Sequence, residues 1–464
     1  MDGWEGSYVC LQSLLKKGSC LTITNTYIRR NLTLAWPLAF NALLVQSMLM
    51  IDTLLVAPLG ELPVAAMGIA TTIVAFVLGL EIAIGNGIQL LVGRAFGSNN
   101  QANLAIAYWS GLLINISTSL IFLFILAFWG SELVAAITDD SELAQLAETY
   151  ISITKYIVLL TAYTQVCTAF CNGRGHSKVP LKGFMIELPV NAILSYFLIN
   201  GFAGYEGLGV EGAAWGSLIA VFLRAVFLYL ALKADDKVDL TYPLDRKFWK
   251  EIGPQYAEIY PIAANFFLLS IGATVYQLLF AQLELFSFVA ITLIFPWVRA
   301  GTQFPNAWAQ ASAISISQAL GQKDTGDLKL FISSCTQVGM TLSVIIAALF
   351  FILSQCIEFV YPDIEADTLA ALIIIAPLYI VLPIIRAYNT VAGNILRALG
   401  NSNLVLKIHF VTQWVIALPI CALLILQFEV SIFWAFAMIP IEELLKTIPF
   451  NRYKQLYIGR LETK

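Results

Sequence analysis

Long apolar runs, repeated from one end of the chain to the other, are the feature that most limits how this sequence can fold. Of the 464 residues, 59% are hydrophobic and only 12% are charged, and the mean hydropathy is +0.79. A soluble domain carries about 25% charged residues, so this chain has too few charges to cover a surface in water. The composition argues strongly against a soluble enzyme, a nucleic-acid-binding protein or a disordered chain. It predicts an all-α polytopic membrane protein whose surface contacts membrane lipid.

Each apolar run is long enough to cross about 30 Å of hydrocarbon as an α-helix. The first 32 residues contain no long apolar core, and we interpret them as a cytoplasmic N-terminal tail. The remaining sequence predicts twelve transmembrane helices, at residues 33–56, 63–92, 104–129, 149–171, 178–201, 210–233, 252–281, 286–316, 330–354, 368–398, 403–426 and 430–450.

The distribution of lysine and arginine predicts the orientation of these helices. Outside the helices, basic residues lie in the tails and in the even-numbered connections, whereas the odd-numbered connections carry acidic residues only. Cytoplasmic connections are enriched in lysine and arginine. We therefore expect both termini to be cytoplasmic, in the cell (inner) membrane. Four basic residues lie well inside predicted helices, namely Lys155, Arg224, Arg299 and Arg386.

The two halves of the sequence repeat at an offset of 224 residues. Pro37 and Asn41 recur as Pro261 and Asn265, and the segment ending in Gly97 recurs as the segment ending in Gly321. Because six helices is an even number, the halves must have the same orientation, which is the parallel-repeat architecture of many transporters. We expect an N-lobe at residues 33–233, a cytoplasmic linker at 234–251, a C-lobe at 252–450 and a cytoplasmic tail at 451–464.

Four segments in this order resemble the multidrug and toxic compound extrusion (MATE) transporters. They are 37–53, 93–97, 208–214 and 392–400. The resemblance covers about residues 33–450. It implies an ion-driven exporter of organic solutes, built from twelve helices in two six-helix lobes that form an outward-open V. We expect a monomer without cofactor or metal site, coupled to protons or sodium ions.

Three positions depart from the patterns of this family. Where the NorM-like branch has a glutamate on helix 7 and an aspartate on helix 10, this sequence has Leu269 and Arg386. Where the DinF-like branch has an aspartate on helix 5, it has Ser195. Asp52 on helix 1 is retained. The sequence is most similar to a divergent DinF-like member, with no cation site in the second lobe.

The candidate ion-coupling residues lie in the N-lobe. Asp52 is a carboxylate at membrane depth, and such residues are costly and usually functional. Glu187, Asn191 and Ser195 follow at steps of four residues, which places them on one helix face. We predict that Asp52 and Glu187 form a coupled pair of proton carriers. The alternatives are that Asp52 is an interfacial acid and that the helix 5 stripe only packs helices together.

The candidate substrate-binding residues lie mainly in the C-lobe. Helix 8 carries a polar stripe at steps of 4, 3 and 4 residues, and helix 10 adds two further polar residues. Arginine suits carboxylate recognition, so the substrate is expected to be anionic or zwitterionic. Alternatively, the arginines balance Glu81 or Glu187 across the lobes. The full candidate set is Asn41, Glu81, Asn265, Tyr276, Arg299, Gln303, Asn306, Gln310, Arg386 and Asn389.

These observations predict a secondary active efflux transporter that exchanges organic small molecules for protons or sodium ions. A lipid-linked-precursor flippase of the same superfamily is the alternative, although such proteins usually have more than twelve helices. An intramembrane enzyme would need a nucleophile with its base, or a cluster of metal ligands, and two isolated histidines supply neither.

Overall fold

The computed structural model describes residues 5–201, 204, 206–236, 240–241, 246–323, 326–362 and 364–462, with side chains from residue 28 onward and, in the seventh long helix, from Phe248. Within this part of the chain all regular structure is helical, which confirms the predicted all-α fold. The N-lobe consists of α1 (Glu5–Val56), α2 (Glu61–Gly97), α3 (Gln101–Ala135), α4 (Ser141–Gly173), α5 (Lys178–Asn200) and α6 (Val210–Lys233).

The C-lobe repeats this order. It consists of α7 (Arg246–Phe280), α8 (Leu285–Gln322), α9 (Leu328–Gln355), α10 (Ala366–Ala398), α11 (Ser402–Leu426) and α12 (Ile432–Glu462). Short 3-10 and α-helical turns follow α1 and α9, at Ala57–Leu59 and Ile357–Val360. The middle of α11, Phe410–Ala417, is a π-helix. The described residues thus form twelve long helices, as predicted.

Ten of the twelve long helices are apolar and long enough to span a membrane by composition alone. The exceptions are α4 and α12. Both pack against helices of their own lobe, α4 against α2, α3 and α6, and α12 against α10. Polar residues such as Glu442 and Glu443 lower the hydropathy of α12, and they are tolerated because the lobe interior covers them.

Several helices extend beyond their predicted ends. The backbone of α1 is helical from Glu5 and α12 continues to Glu462, so both predicted tails continue the adjacent spanning helices. α7 begins at Arg246, inside the predicted linker, of which residues 237–239 and 242–245 lie outside the described residues. Apolar patterning reports only the segment in hydrocarbon, whereas a helix can continue where its side chains become polar.

The crossing of α2 and α8 relates the two lobes by an approximate two-fold axis. Gly97 packs against the main-chain oxygen of Gln318, and Gly321 packs against the main-chain oxygen of Arg94. Each contact becomes the other when 224 is added or subtracted. Gly93 meets Ser317, its own equivalent in the repeat, at 3.3 Å. These reciprocal contacts confirm two parallel six-helix repeats.

Polar contacts join the lobes at the end where α1 begins and α12 ends, which we call the terminus side. Arg94 forms a bidentate ion pair with Glu258, with nitrogen–oxygen distances of 2.6 and 3.1 Å. Arg30 donates to Gln318 at 2.7 Å, across the same junction. These bonds hold the lobes together on the terminus side of the molecule.

Candidate functional site

A cavity of about 750 Å³ lies between the lobes. Cavities that hold small molecules in proteins typically measure about 300–1,000 Å³. The N-lobe contributes α1 and α2 to its walls, and the C-lobe contributes α7, α8, α10, α11 and α12. The cavity therefore belongs mostly to the C-lobe, and a solute bound there contacts both halves of the molecule.

The polar stripe of α8 lines this cavity along its whole length. Arg299, Gln303, Asn306 and Gln310 all face it, because their spacing keeps them on one side of the helix. The amide nitrogen of Gln310 donates to the side-chain oxygen of Asn86, its counterpart in the other lobe. Arg299 is exposed, and among the described residues its guanidinium has no ion-pair partner.

A second charged group on the cavity wall comes from α12. Lys446 Nζ lies 2.5 Å from Glu442 Oε1 and 3.5 Å from Glu443 Oε1. Arg386 Nε approaches Glu443 Oε1 at 3.3 Å. Tyr276 donates its hydroxyl to Glu442 Oε2 at 2.6 Å. The C-lobe thus contains two buried acids, so the expectation of a second lobe with only positive charge is wrong.

The amide of Asn389 completes this group. Its nitrogen donates to the main-chain oxygen of Glu443 at 2.7 Å and to Glu443 Oε2 at 2.8 Å. Four basic side chains and two acidic ones line the cavity, which leaves a formal net charge of +2 with His409 neutral. The basic side chains are Arg299, Arg386, Arg397 and Lys446.

The N-lobe buries a separate network around Asp52. Asn191 Nδ2 donates to Asp52 Oδ1 at 2.7 Å, and Ser217 Oγ lies 3.1 Å from Asp52 Oδ2 and 3.2 Å from Asn191 Oδ1. Ser195 donates to the same amide oxygen at 3.1 Å. All four side chains are buried. The network lies inside the lobe, because none of its members lines the central cavity.

Glu187 lies one turn from Asn191 on α5, but its closest charged partner is on α6. Arg224 Nη1 approaches Glu187 Oε2 at 2.7 Å, and both side chains are at most 5% exposed. Arg224 also donates to Thr164 Oγ1 at 2.7 Å, and its guanidinium lies 4.3 Å from the centre of the Phe184 ring. Glu187 is therefore neutralised within its own lobe, and not by Arg299 or Arg386.

Three predicted candidates are buried but do not line the cavity. Asn41, Glu81 and Asn265 each have a side-chain oxygen without a hydrogen-bond partner among the described residues. Glu81 is fully buried on α2 and faces Ser119 of α3. These residues point into the interiors of their lobes, so the structure does not bring them to the stripe on α8.

Sequence reasoning missed Ser217, Glu442, Glu443 and Lys446, and it assigned no partner to Arg224. Three charges in the last spanning helix were a usable sign of a polar cluster. Ser217 gave no such sign, because a single serine is common in membrane helices. The contact between Ser217 and Asp52 joins residues 165 positions apart, which no local pattern encodes.

Comparisons with known proteins agree with this architecture. The sequence profile of the MatE family matches the chain twice, at residues 37–197 and 261–423, and the two matches begin 224 residues apart. The multidrug resistance protein NorM of Aliivibrio fischeri is 25% identical over 412 residues, which cover 84% of this chain and 85% of that protein.

Solved structures show the same fold. A structure described as MATE in the bent conformation superposes with a TM-score of 0.85 at 15% identity, over 94% of this chain and 96% of that one. A transporter of the MOP superfamily from Pyrococcus furiosus superposes with a TM-score of 0.82 at 15% identity, over 93% and 96% of the two chains. Its description states that reverse polarity of the binding pocket suggests a different function.

Proposed function

The chain belongs to the MATE family of efflux transporters, and from this premise we propose that it exports organic anions or zwitterions by antiport with protons or sodium ions. The net positive lining of the interlobe cavity is the observation that carries the choice of substrate class. A positive surface attracts anions and repels the lipophilic cations that MATE transporters usually export.

Arg299 is the residue we assign to the negative group of the substrate. Its guanidinium is exposed to the cavity, and no acid neutralises it among the described residues. Arginine donates two parallel hydrogen bonds to a carboxylate or phosphate, which fixes the orientation of the ligand. Arg386 is held by Glu443 and adds positive charge without being equally available.

Asp52 is the residue we assign to ion coupling. It is a buried acid with no basic partner among the described residues, and its oxygens accept bonds from Asn191 and Ser217. A carboxyl group held in this way can exchange a proton or coordinate a sodium ion. Since Asp52 does not line the cavity, ion and substrate do not compete for one place. The exchange then requires lobe movements that both ligands bias.

We further propose that both termini are cytoplasmic, as the positions of lysine and arginine indicate. The terminus side, which Arg94 and Glu258 hold closed, then faces the cytoplasm. The cavity in this conformation serves release of substrate and uptake of the coupling ion from outside. The cell (inner) membrane is the corresponding location.

The coupling role is tested in liposomes containing the purified protein, with an imposed pH or sodium gradient. Asp52→Asn should abolish gradient-driven transport, because the amide keeps the shape of the carboxyl group but cannot carry a proton. Glu211→Gln, an exposed acid at the start of α6, is the control and should transport normally. Wild-type transport by the Asp52→Asn protein would remove the basis of the coupling assignment.

The substrate class is tested with an anionic, a neutral and a cationic probe of similar size. Arg299→Ala should weaken binding of a carboxylate-bearing probe by roughly 10- to 100-fold and leave the neutral probe nearly unaffected, because a charge-assisted hydrogen bond contributes about 1.5–3 kcal/mol. Lys182→Ala, which removes an exposed lysine from α5, is the matched control. Equal losses for all three probes would show that Arg299 only supports the lobe.

A further inference from the structure

A second cavity, of about 600 Å³, lies on the flank of the molecule between the lobes. We call it the lateral groove. α2 and α3 of the N-lobe form one wall, and α7 and α11 of the C-lobe form the other. All four helices are long and apolar enough to span a membrane. The groove therefore lies at the depth of the bilayer.

The lateral groove is separate from the central cavity, although the two share walls. On α7, Ile262 and Phe266 face the central cavity, whereas Tyr260 and Phe267 face the groove. On α11, His409 and Gln413 face the central cavity, whereas Lys407 and Phe410 face the groove. α7 and α11 are bonded to each other, because Trp414 donates to the main-chain oxygen of Leu268 at 3.2 Å.

The outer edge of the groove is open to the surroundings of the protein. Tyr256, Tyr260, Phe267, Phe410 and Val411 are between 45% and 54% exposed. In a membrane this edge faces hydrocarbon chains, not water. A groove with these walls must be filled by an apolar molecule from the bilayer, since an empty apolar cavity forgoes dispersion contacts.

The length of the groove matches one leaflet. Its lining on α7 runs from Tyr256 to Leu268, which corresponds to roughly 18 Å of helix. Half of a hydrocarbon core measures about 15 Å. Both α7 and α11 begin on the terminus side, so the groove occupies the leaflet on that side. Two tyrosines, Tyr256 and Tyr260, lie towards this end with their ring centres 5.8 Å apart. Tyrosine is enriched where hydrocarbon meets headgroups.

Lys407 gives the groove a charge. It is the charged residue among those that line the groove, it is exposed, and no hydrogen bond or ion pair holds its ammonium group within the described part of the chain. Helical side chains tilt towards the N-terminus of their helix, so the ammonium group reaches towards the terminus-side headgroup region. An unpaired cation at the polar end of an apolar groove is complementary to an anionic headgroup on an acyl chain.

From the lateral groove and its single free lysine we infer a binding site for an anionic glycerophospholipid, with the acyl chains between α2–α3 and α7–α11 and the phosphate on Lys407. The site bridges the two lobes, so the lipid contacts both of them at once. Rocking of the lobes changes the width of the groove, and a lipid that fits one width favours that conformation.

Native mass spectrometry of the purified protein tests this inference independently of transport. Wild-type protein should retain dioleoyl phosphatidylglycerol in preference to dioleoyl phosphatidylcholine. Lys407→Gln should weaken retention of phosphatidylglycerol by about fivefold, the effect of one basic residue at a membrane surface. Lys182→Gln, which removes a lysine outside the groove, should leave retention unchanged. Equal retention of the two lipids by wild-type protein, or equal losses in the two variants, would overturn the proposal.

A steric variant separates the groove from general surface charge. Ala264→Trp places an indole inside the groove without changing charge, and it should also lower retention of phosphatidylglycerol. Ala348→Trp, on the exposed face of α9, is its control and should have no effect. Glycerol 1-phosphate, which offers the headgroup without chains, should not bind detectably. Unchanged retention in Ala264→Trp, or Lys407-dependent binding of glycerol 1-phosphate as tight as that of the lipid, would contradict a lipid site.

Discussion

At the scale of single residues, buried charges matter most when their partner is unique. Glu187 and Arg224 are each nearly inaccessible, and each is the other's ion-pair partner. Removing one member of a buried pair leaves the other charge uncompensated, which costs about 3–5 kcal/mol. Replacing both members by neutral side chains avoids that cost.

We therefore expect Glu187→Gln to lower the free energy of unfolding by about 3–5 kcal/mol, and Glu187→Gln with Arg224→Met to recover much of the loss. Unfolding of the purified protein in detergent, followed by heat or denaturant, measures both. A Glu187→Gln protein with wild-type stability but without ion coupling would instead place Glu187 in the ion pathway, as a partner of Asp52.

The outcome at individual residues depended on whether their neighbours were local. The α8 stripe could be predicted, because residues 299–310 on one helix need only the helical period to share a face. Asp52, Asn191 and Ser195 were selected from the sequence and lie together. Arg224 was noticed as a buried charge, but its pairing with Glu187 depends on how α5 packs on α6. Such contacts follow from packing geometry, which hydropathy does not report.

At the scale of helices, the crossing of α2 and α8 depends on glycine at two equivalent places. A Cβ atom at Gly97 or Gly321 would collide with main-chain oxygen of the other helix. Main-chain atoms cannot move aside without shifting a whole helix, so the cost is larger than for a flexible side chain. Small residues at helix crossings are common in membranes because they permit this close approach.

Gly97→Ala and Gly321→Ala should each lower the free energy of unfolding by at least about 1–3 kcal/mol, the usual cost of overpacking. Gly68→Ala is the matched control on α2, because open space surrounds that position. It should leave stability unchanged or raise it slightly, since alanine favours helix more than glycine does. The thermal midpoint in detergent distinguishes the three variants. Similar midpoints for all of them would mean that the crossing is looser than the close contacts indicate.

At the scale of the whole molecule, the twelve helices and their repeat could be predicted because hydrocarbon thickness fixes helix length and an even helix number fixes orientation. The helix ends could not, since α1 and α12 continue where side chains become polar. The closure of the lobes on the terminus side was also beyond the sequence. Arg94 belongs to a segment that the repeat singled out, yet its partner Glu258 lies 164 residues away.

The Arg94–Glu258 pair is expected to hold the terminus side closed. Arg94→Glu should place two acids together and widen this side, and Arg94→Glu with Glu258→Arg should restore the attraction with reversed sign. Spin labels at positions 182 on α5 and 329 on α9 report the separation of the lobes by pulsed electron resonance. The single variant should show longer distances, and the double variant should return to those of wild type. Identical distributions for all three would leave the pair without a gating role.

The reciprocal contacts of α2 and α8 also bear on how such a chain could arise. An interface in which each partner offers the same glycine and receives it on the same carbonyl is what two identical subunits form in a closed dimer. A six-helix protein with this surface could pair with its own copy. Fusion of the two genes would then free each half to change by itself, and here one half has an acid at position 52 where the other has Tyr276. The division of labour between ion and solute is possible because the two halves no longer share one sequence.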